Sequence, residues 1–189
     1  PLQAGDGTPS FVLDNAAALQ HQFDITVLAP RVAGARRIST TSGIRVRRFA
    51  YWPKRWERLA DEAIMPQLGE KKSLWPQAFA LVLAMLLHAT REALLRRPSI
   101  VHAQWVIPSG FVALALNAGF AIPYIVTAQG ADAFRLTSSL MQRLKRGIVM
   151  RAARLIVVSR DILESGLGLD SPATVQPSGV DFGLWSNLV

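Results

Sequence analysis

The stretch Val126–Phe134, VTAQGADAF, brings an amide, a glycine and a carboxylate together as Gln129-Gly130-Ala131-Asp132. An amide donates and accepts hydrogen bonds but holds no titrating proton. A carboxylate accepts only, and glycine allows a tight turn. A bare turn would use these residues, and so would a strand end that holds a ligand. A second cluster, His102-Ala103-Gln104-Trp105, sets an imidazole beside an indole. A third, Gly5-Asp6-Gly7-Thr8, stands before a helical pattern. The three histidines, His21, His88 and His102, lie far apart without ligand spacing, and there is no cysteine. No metal site, disulfide or thiolate nucleophile is expected.

The surrounding pattern says what must position these groups. GTPSFVLDNAAALQHQ reads as a helix capped by Thr8, with Pro9 in its first turn and Phe11, Val12, Ala16 and Leu19 on one face. FDITVLAP follows as a strand ended by Pro30, Val32–Gly43 as a polar loop, and Ile44–Phe49 as a strand with one wet, basic face. Tyr51–Leu74 reads as a long excursion with one short helix around Trp56–Ile64. Its apolar residues are too irregularly spaced to pack as a long helix. It is expected to be mobile and to serve acceptor or membrane contact. Trp75–Arg97 is a strong helix started by Pro76. Strands then alternate with single helices: SIVHAQW, IPYIVTAQ, ARLIVVS and ATVQPSGVD, with a helix opened by Pro108 after the first. Such βαβ units predict an α/β fold, a mainly parallel sheet with helices on both faces, and ligands beyond the carboxyl ends of the strands.

Charge narrows the partners. The 189 residues carry a formal +8, with nine basic residues and one acid between Arg31 and Arg58, and seven basic residues and no acid between Arg135 and Arg160. Such clusters attract anionic groups or form a solvated face. No helix-turn-helix, RNP or zinc-finger pattern is present, so nucleic acid is not an expected partner. No G-x-G-x-x-G follows a strand, which argues against a dehydrogenase. The opening PLQAGDGTPSF has no secretory pattern, and the apolar run Ala78–Leu87 is shorter than the roughly 20 residues a bilayer requires. The expectation is a soluble, cytoplasmic protein. Tyr51, Trp52 and Trp56 among the basic residues suit a peripheral position at the inner face of an anionic membrane.

In order along the chain, GDGTPSFVLDNAAAL, VHAQWVIPSG, VTAQGADAF, IVVS and PSGVD resemble the N-terminal half of retaining glycosyltransferases of the GT-B fold, family 4. The resemblance implies a doubly wound, Rossmann-like domain over residues 1–189. It implies transfer of a sugar from a nucleotide-sugar to a glycan or lipid-linked acceptor, as in envelope glycan synthesis, with no metal or other cofactor. A second, donor-binding domain outside these residues is implied, so that this domain alone is inactive. Gly5, Gly7 and Thr8 would face the donor diphosphate, where backbone N–H groups and a helix start favour anions. His102, Trp105 and Gly130 would line the acceptor side. Trp105 either stacks on a sugar or lipid face or packs in the core, and His102 either bonds a ligand or is a satisfied interior histidine. The family usually has histidine where Gln129 stands, so Gln129 keeps an orienting role and loses any acid–base role. Asp132 is either a partner for acceptor hydroxyls or a cap on the backbone that follows. A non-catalytic module that binds anions or membrane surfaces is the alternative reading.

Overall fold

The computed structural model describes residues 11–60, 64–135, 137–167 and 173–177. The chain forms α1 (Phe11–Leu19), β1 (Thr26–Pro30), β2 (Ile38–Thr41), β3 (Ile44–Phe49), α2 (Ile64–Glu70) and α3 (Trp75–Arg96). Then follow β4 (Val101–Gln104), α4 (Phe111–Phe120), β5 (Tyr124–Ala128), α5 (Ala131–Phe134), α6 (Ser139–Arg151), β6 (Arg154–Val157) and β7 (Thr174–Val175). The four last strands make an all-parallel sheet in the order β4-β5-β6-β7. The first three make a second sheet in the order β1-β3-β2, with β1 parallel and β2 antiparallel to β3. The α/β, mainly parallel architecture with helices around the sheet is as the alternation implies, but the described strands pair as two sheets.

Local chemistry sets the boundaries. α3 begins with Pro76 in its first turn and ends at Arg97, in the left-handed region at φ 47°, followed by Pro98. α6 is capped by Ser138, whose Oγ accepts from Met141 N (3.4 Å). Val32–Gly43 is not the irregular loop its polarity suggests, because it contains β2. Ser42 (φ 51°) and Gly43 (φ 80°) form a two-residue hairpin turn into β3 with both residues at positive φ. That geometry matches the right-handed twist of the paired strands. Nor does every arginine of β3 lie on its basic face, because alternation puts Arg48 on the side of Ile44 and Val46. Arg48 is 8% exposed, donates to Ser39 Oγ (3.0 Å) and to Arg36 O (3.4 Å), and its burial pulls its pKa down.

The Tyr51–Leu74 excursion departs most from expectation. Its helix is Ile64–Glu70, C-terminal to the expected place. Tyr51, Leu59 and Leu68 are buried with Phe49 and Leu81 in one cluster. Polar side chains tie down the backbone between them: Glu57 accepts from Tyr51 N (2.8 Å), Trp52 N (3.3 Å) and the Arg31 guanidinium. Tyr51 Oη accepts from Ala60 N (2.9 Å), and Gln77 donates to Trp56 O (3.0 Å). A loop held by so many directional bonds is anchored, so the expected mobility does not hold for its described residues. Trp56 remains 57% exposed, with Arg55 over its ring at 5.8 Å.

α3 joins the two sheets. Leu81 packs into the cluster on the β1-β3-β2 sheet, His88 stacks on Phe49 (5.5 Å), and Glu92 pairs with Arg47 of β3 (2.8 Å). Ala93 packs against Leu116 and Ile122 on the other side. The apolar run Ala78–Leu87 is therefore only part of a longer helix. Residues Lys72–Arg96, whose most apolar 18-residue window has a mean hydropathy of 1.6, are long and apolar enough by composition to cross a membrane. The larger core lies on the four-stranded sheet, where Tyr124, Val126, Ala128, Leu155 and Val157 meet Ala113, Ile148 and Val149.

Candidate functional site

The parallel register of β4 and β5 aligns Gln104 with Thr127 and His102 with Ile125. Side chains alternate across a strand, so His102, Gln104, Thr127 and, two residues on, Gln129 share one face at the carboxyl edge. They are hydrogen-bonded in a line. Gln129 Nε2 donates to Gln104 Oε1 (2.7 Å), Gln104 Nε2 lies 3.4 Å from His102 Nε2, and Thr127 Oγ1 lies 2.8 Å from the same nitrogen. An amide nitrogen only donates, so this arrangement suits a His102 Nε2 that accepts, as in a neutral ring protonated at Nδ1. Burial holds the His102 pKa below its usual value, in keeping with a neutral ring, although part of the side chain reaches solvent.

Asp132 fixes this edge from beneath. It is 2% exposed, its Oδ2 accepts from Val106 N (2.6 Å) and its Oδ1 from Gln129 N (3.2 Å). One carboxylate thus ties the segment after β4 to the segment after β5. Its described backbone partners, Gln129 N and Val106 N, precede it in the chain, so Asp132 holds backbone before it and not the backbone that follows. Gly130 sits at φ 114°, where L side chains are disfavoured, and a Cβ there would meet only Ile162 Cδ1 at 3.9 Å. The glycine is required by conformation and not by space. Its carbonyl accepts from Ala133 N (2.8 Å) and Phe134 N (2.9 Å), which closes the single turn of α5.

Lys145 completes the support and was not singled out from the sequence. It is 1% exposed, and its ammonium donates to Ala133 O (2.7 Å) and Arg135 O (2.6 Å) at the end of α5. Desolvation lowers its pKa and the nearby Asp132 opposes the shift. The signal was present in the helical spacing. Lys145 occupies the stripe of α6 that also carries Ile148 and Val149, a place where an apolar residue is the norm.

Trp105 is held in an unusual backbone conformation, φ 71° and ψ 142°. Its N donates to Thr127 O (2.8 Å), and its O accepts from Gly110 N (3.1 Å). A non-glycine residue in this region is strained by about 1–3 kcal/mol, a cost found where the surroundings dictate a functional geometry. The indole is 37% exposed and meets the Phe11 ring edge-on at 6.0 Å. The described start of α1 therefore lies at this edge too. The Ile107–Pro108 peptide is cis and Ile107 has extended φ/ψ, so Pro108 sits in a kinked segment and α4 starts later, at Phe111. Close packing sets that start, since a Cβ on Gly110 would lie 2.8 Å from Ile148 Cγ2.

Trp105, Gln129, Gly130, Asp132 and His102 are thus brought to one sheet edge, together with Gln104 and Thr127, whose bonding role the residue types alone did not disclose. Gly5, Gly7 and Thr8, and Ser178, Gly179 and Asp181 of PSGVD, lie outside the described residues. Two clefts open at the opposite ends of the strands. One, of about 630 Å³, is lined by Gln20, His21, Asp24, Thr40 and Arg45, and the other, of about 490 Å³, by Leu94, Arg97, Phe120 and Ile122. Among the described residues no group of three or more His, Asp or Glu side chains could hold a metal ion.

A search of curated proteins finds no significant match. The family model described as a glycosyl transferase 4-like domain matches residues 6–176, nearly the whole chain. The match covers well over half of the chain, and the chain belongs to the glycosyl transferase 4-like family.

Proposed function

We propose that this domain presents the acceptor-side surface of a retaining glycosyltransferase, which moves a sugar from a nucleotide-sugar to a hydroxyl of a glycan or lipid-linked acceptor. The observation that carries the reading is the bonded line Gln129–Gln104–His102–Thr127, which meets the strained Trp105 at the carboxyl edge of the sheet. Ligands bind at this edge in parallel α/β folds. The edge is supported by Asp132, each of whose oxygens accepts a backbone N–H.

In this reading each residue has a limited task. Gln129 orients a sugar hydroxyl and moves no proton, because its amide does not titrate. Gln104 and the neutral His102 fix the direction of that amide. Trp105 offers an apolar face for a sugar ring or lipid segment. The departing nucleoside diphosphate needs electrostatic stabilisation, which the N–H groups of Gly5–Thr8 and nearby cations would supply. A second domain facing this edge would contribute most of the donor contacts, and sugar transfer would need it. Titrating ¹⁵N-labelled protein with nucleotide-sugars and with free mono- and disaccharides tests the reading. Saccharides should perturb Trp105 and Gln129 first, and Trp105→Ala should weaken that response by about tenfold or more.

One observation favours a second reading. The residue at the family's histidine position is an amide locked to a neighbouring amide at 2.7 Å. A domain that keeps the fold and binds anionic surfaces without catalysis would tolerate this. Absence of any response at the edge to nucleotide-sugars and saccharides alike would favour it.

A further inference from the structure

The outer face of α3 is the largest apolar feature the proposed chemistry leaves unused. Trp75, Phe79, Leu83, Leu87 and Leu94 are 41%, 72%, 56%, 61% and 62% exposed. At 100° per residue they fall on one stripe, pointing away from Gln77, Leu81 and His88, which face the sheet. The stripe runs about 28 Å along the helix axis. At its far end it meets the cleft of about 490 Å³ formed by Leu94, Pro98, Phe120, Ile122 and Pro123, where Arg97 stands in the wall. Soluble surfaces rarely expose a contiguous apolar patch of this size without a partner.

Charge identifies the partner. The stripe is preceded by Lys71 and Lys72, flanked near its end by Arg91, and followed by Arg96 and Arg97. The sole acid in Lys72–Arg96 is Glu92, 15% exposed and turned to Arg47 at 2.8 Å, with Arg96 on its other oxygen. Apolar residues between basic ends, with an indole at one limit, match the acyl and headgroup layers of an anionic bilayer. A second copy fits less well. An antiparallel twofold pairing of the stripes would set Lys71 and Lys72 of one chain against Arg91, Arg96 and Arg97 of the other.

The packing of its inner face suits a helix that lies on such a surface and not one that crosses it. Its inner face carries Gln77, bonded to Trp56 O, and Glu92, paired with Arg47 on β3. Extracting it would expose Phe49, Tyr51 and Leu59, the core of that half. We propose that the stripe Trp75–Leu94 seats the domain on an anionic membrane, with the α3 axis in the plane of the interface. The sequence places membrane contact in Tyr51–Leu74, whereas the structure offers α3. The inference rests on the glycosyltransferase reading only for its purpose, to bring the polar edge near a lipid-linked acceptor. The test uses no sugar or nucleotide, so the two readings fail separately.

Purified protein is cosedimented with phosphatidylcholine vesicles with and without phosphatidylglycerol. Partition into the anionic vesicles alone, weakened by salt, is the expected result. The triple variant Phe79→Ser, Leu83→Ser, Leu87→Ser, checked for its fold by circular dichroism, should lower partition by about tenfold or more. Brominated lipid should quench the wild-type fluorescence, and Trp75→Phe should remove most of that quenching. Any of four results overturns the proposal: no partition, equal partition into neutral vesicles, equal partition of the triple variant, or a wild-type dimer that the triple variant dissociates.

Discussion

Two buried carboxylates do similar work in the two halves of this domain, with different consequences. Glu57 lies beside the β1-β3-β2 sheet and accepts two backbone N–H groups and the Arg31 guanidinium. Asp132 lies under the four-stranded sheet and accepts two backbone N–H groups from different strand ends. Glu57 closes its own loop on Tyr51 N and Trp52 N and reaches the Arg31 side chain after β1, so its loss should stay within the β1-β3-β2 half. Asp132 joins the segments after β4 and β5, and its loss should reach every residue of the candidate site. A carboxylate whose backbone partners lie on two elements fixes their relative geometry, whereas one whose backbone partners are neighbours in sequence fixes a loop conformation.

The largest effect expected from this contrast is that of Asp132→Ala. Two buried N–H groups would lose their acceptor, and Lys145 would lose its nearest countercharge. The cost should be about 4 kcal/mol in urea unfolding, with shifted amide resonances at both Val106 and Gln129. Glu57→Gln should cost less, about 2 kcal/mol. Hydrogen exchange should quicken at Tyr51 and Trp52 and remain unchanged at Val106. Equal spread of both perturbations would erase the distinction between the halves.

Why the site half was easier to read from sequence follows from the same contrast. β4 to β6 alternate with helices at regular spacing, and period-two alternation puts His102 with Gln104 on one face of β4 and Thr127 with Gln129 on one face of β5. The line of bonds among them depends on a register, Gln104 beside Thr127, that one strand's sequence does not contain. The other half is held by long-range polar contacts such as Gln77 to Trp56 O, 21 residues apart, and Arg31 to Glu57, 26 apart. Such contacts leave no periodic trace, which is why β2, the place of α2 and the anchoring of the excursion escaped the pattern. Lys145 escaped for another reason: a cation on an apolar stripe is read as noise until the carbonyls it serves are seen.

Alkaline pH sharpens the comparison in the site half. The Tyr124 hydroxyl donates to Ile148 O (2.6 Å), and burial pushes its pKa up to about 12. The unfolded chain ionises this tyrosine near pH 10 and the folded chain near 12. Its contribution is therefore complete below pH 10 and is lost as pH rises toward 12, by roughly 2 kcal/mol. Tyr124→Phe should flatten the alkaline limb of the stability curve.

The smallest effect concerns the histidine in each half. Burial lowers the pKa of both His88 and His102, and for His88 the nearby Arg37, Arg91 and Arg47 add to it while Glu92 opposes. Each stabilises the fold fully above pH 6.5, and each contribution is lost as pH falls below that value, because the unfolded chain takes up the proton first. Added salt screens the arginines, so it should raise the His88 pKa and leave that of His102 nearly fixed. NMR titration of the two imidazoles at low and high salt checks this, and equal salt responses would break it.

The central claim, that the edge after β4 and β5 is the sugar-facing surface, is tested most directly at the side-chain amides of Gln129 and Gln104. Their ¹⁵N–¹H resonances are followed while saccharides and nucleotide-sugars are added to the purified protein. The account predicts saturable shifts of both amides and of the Trp105 indole, with Gln20, Arg45 and Phe120 at the opposite edge unmoved. Saturable shifts at Gln20 and Arg45 with Gln129, Gln104 and Trp105 silent would contradict it.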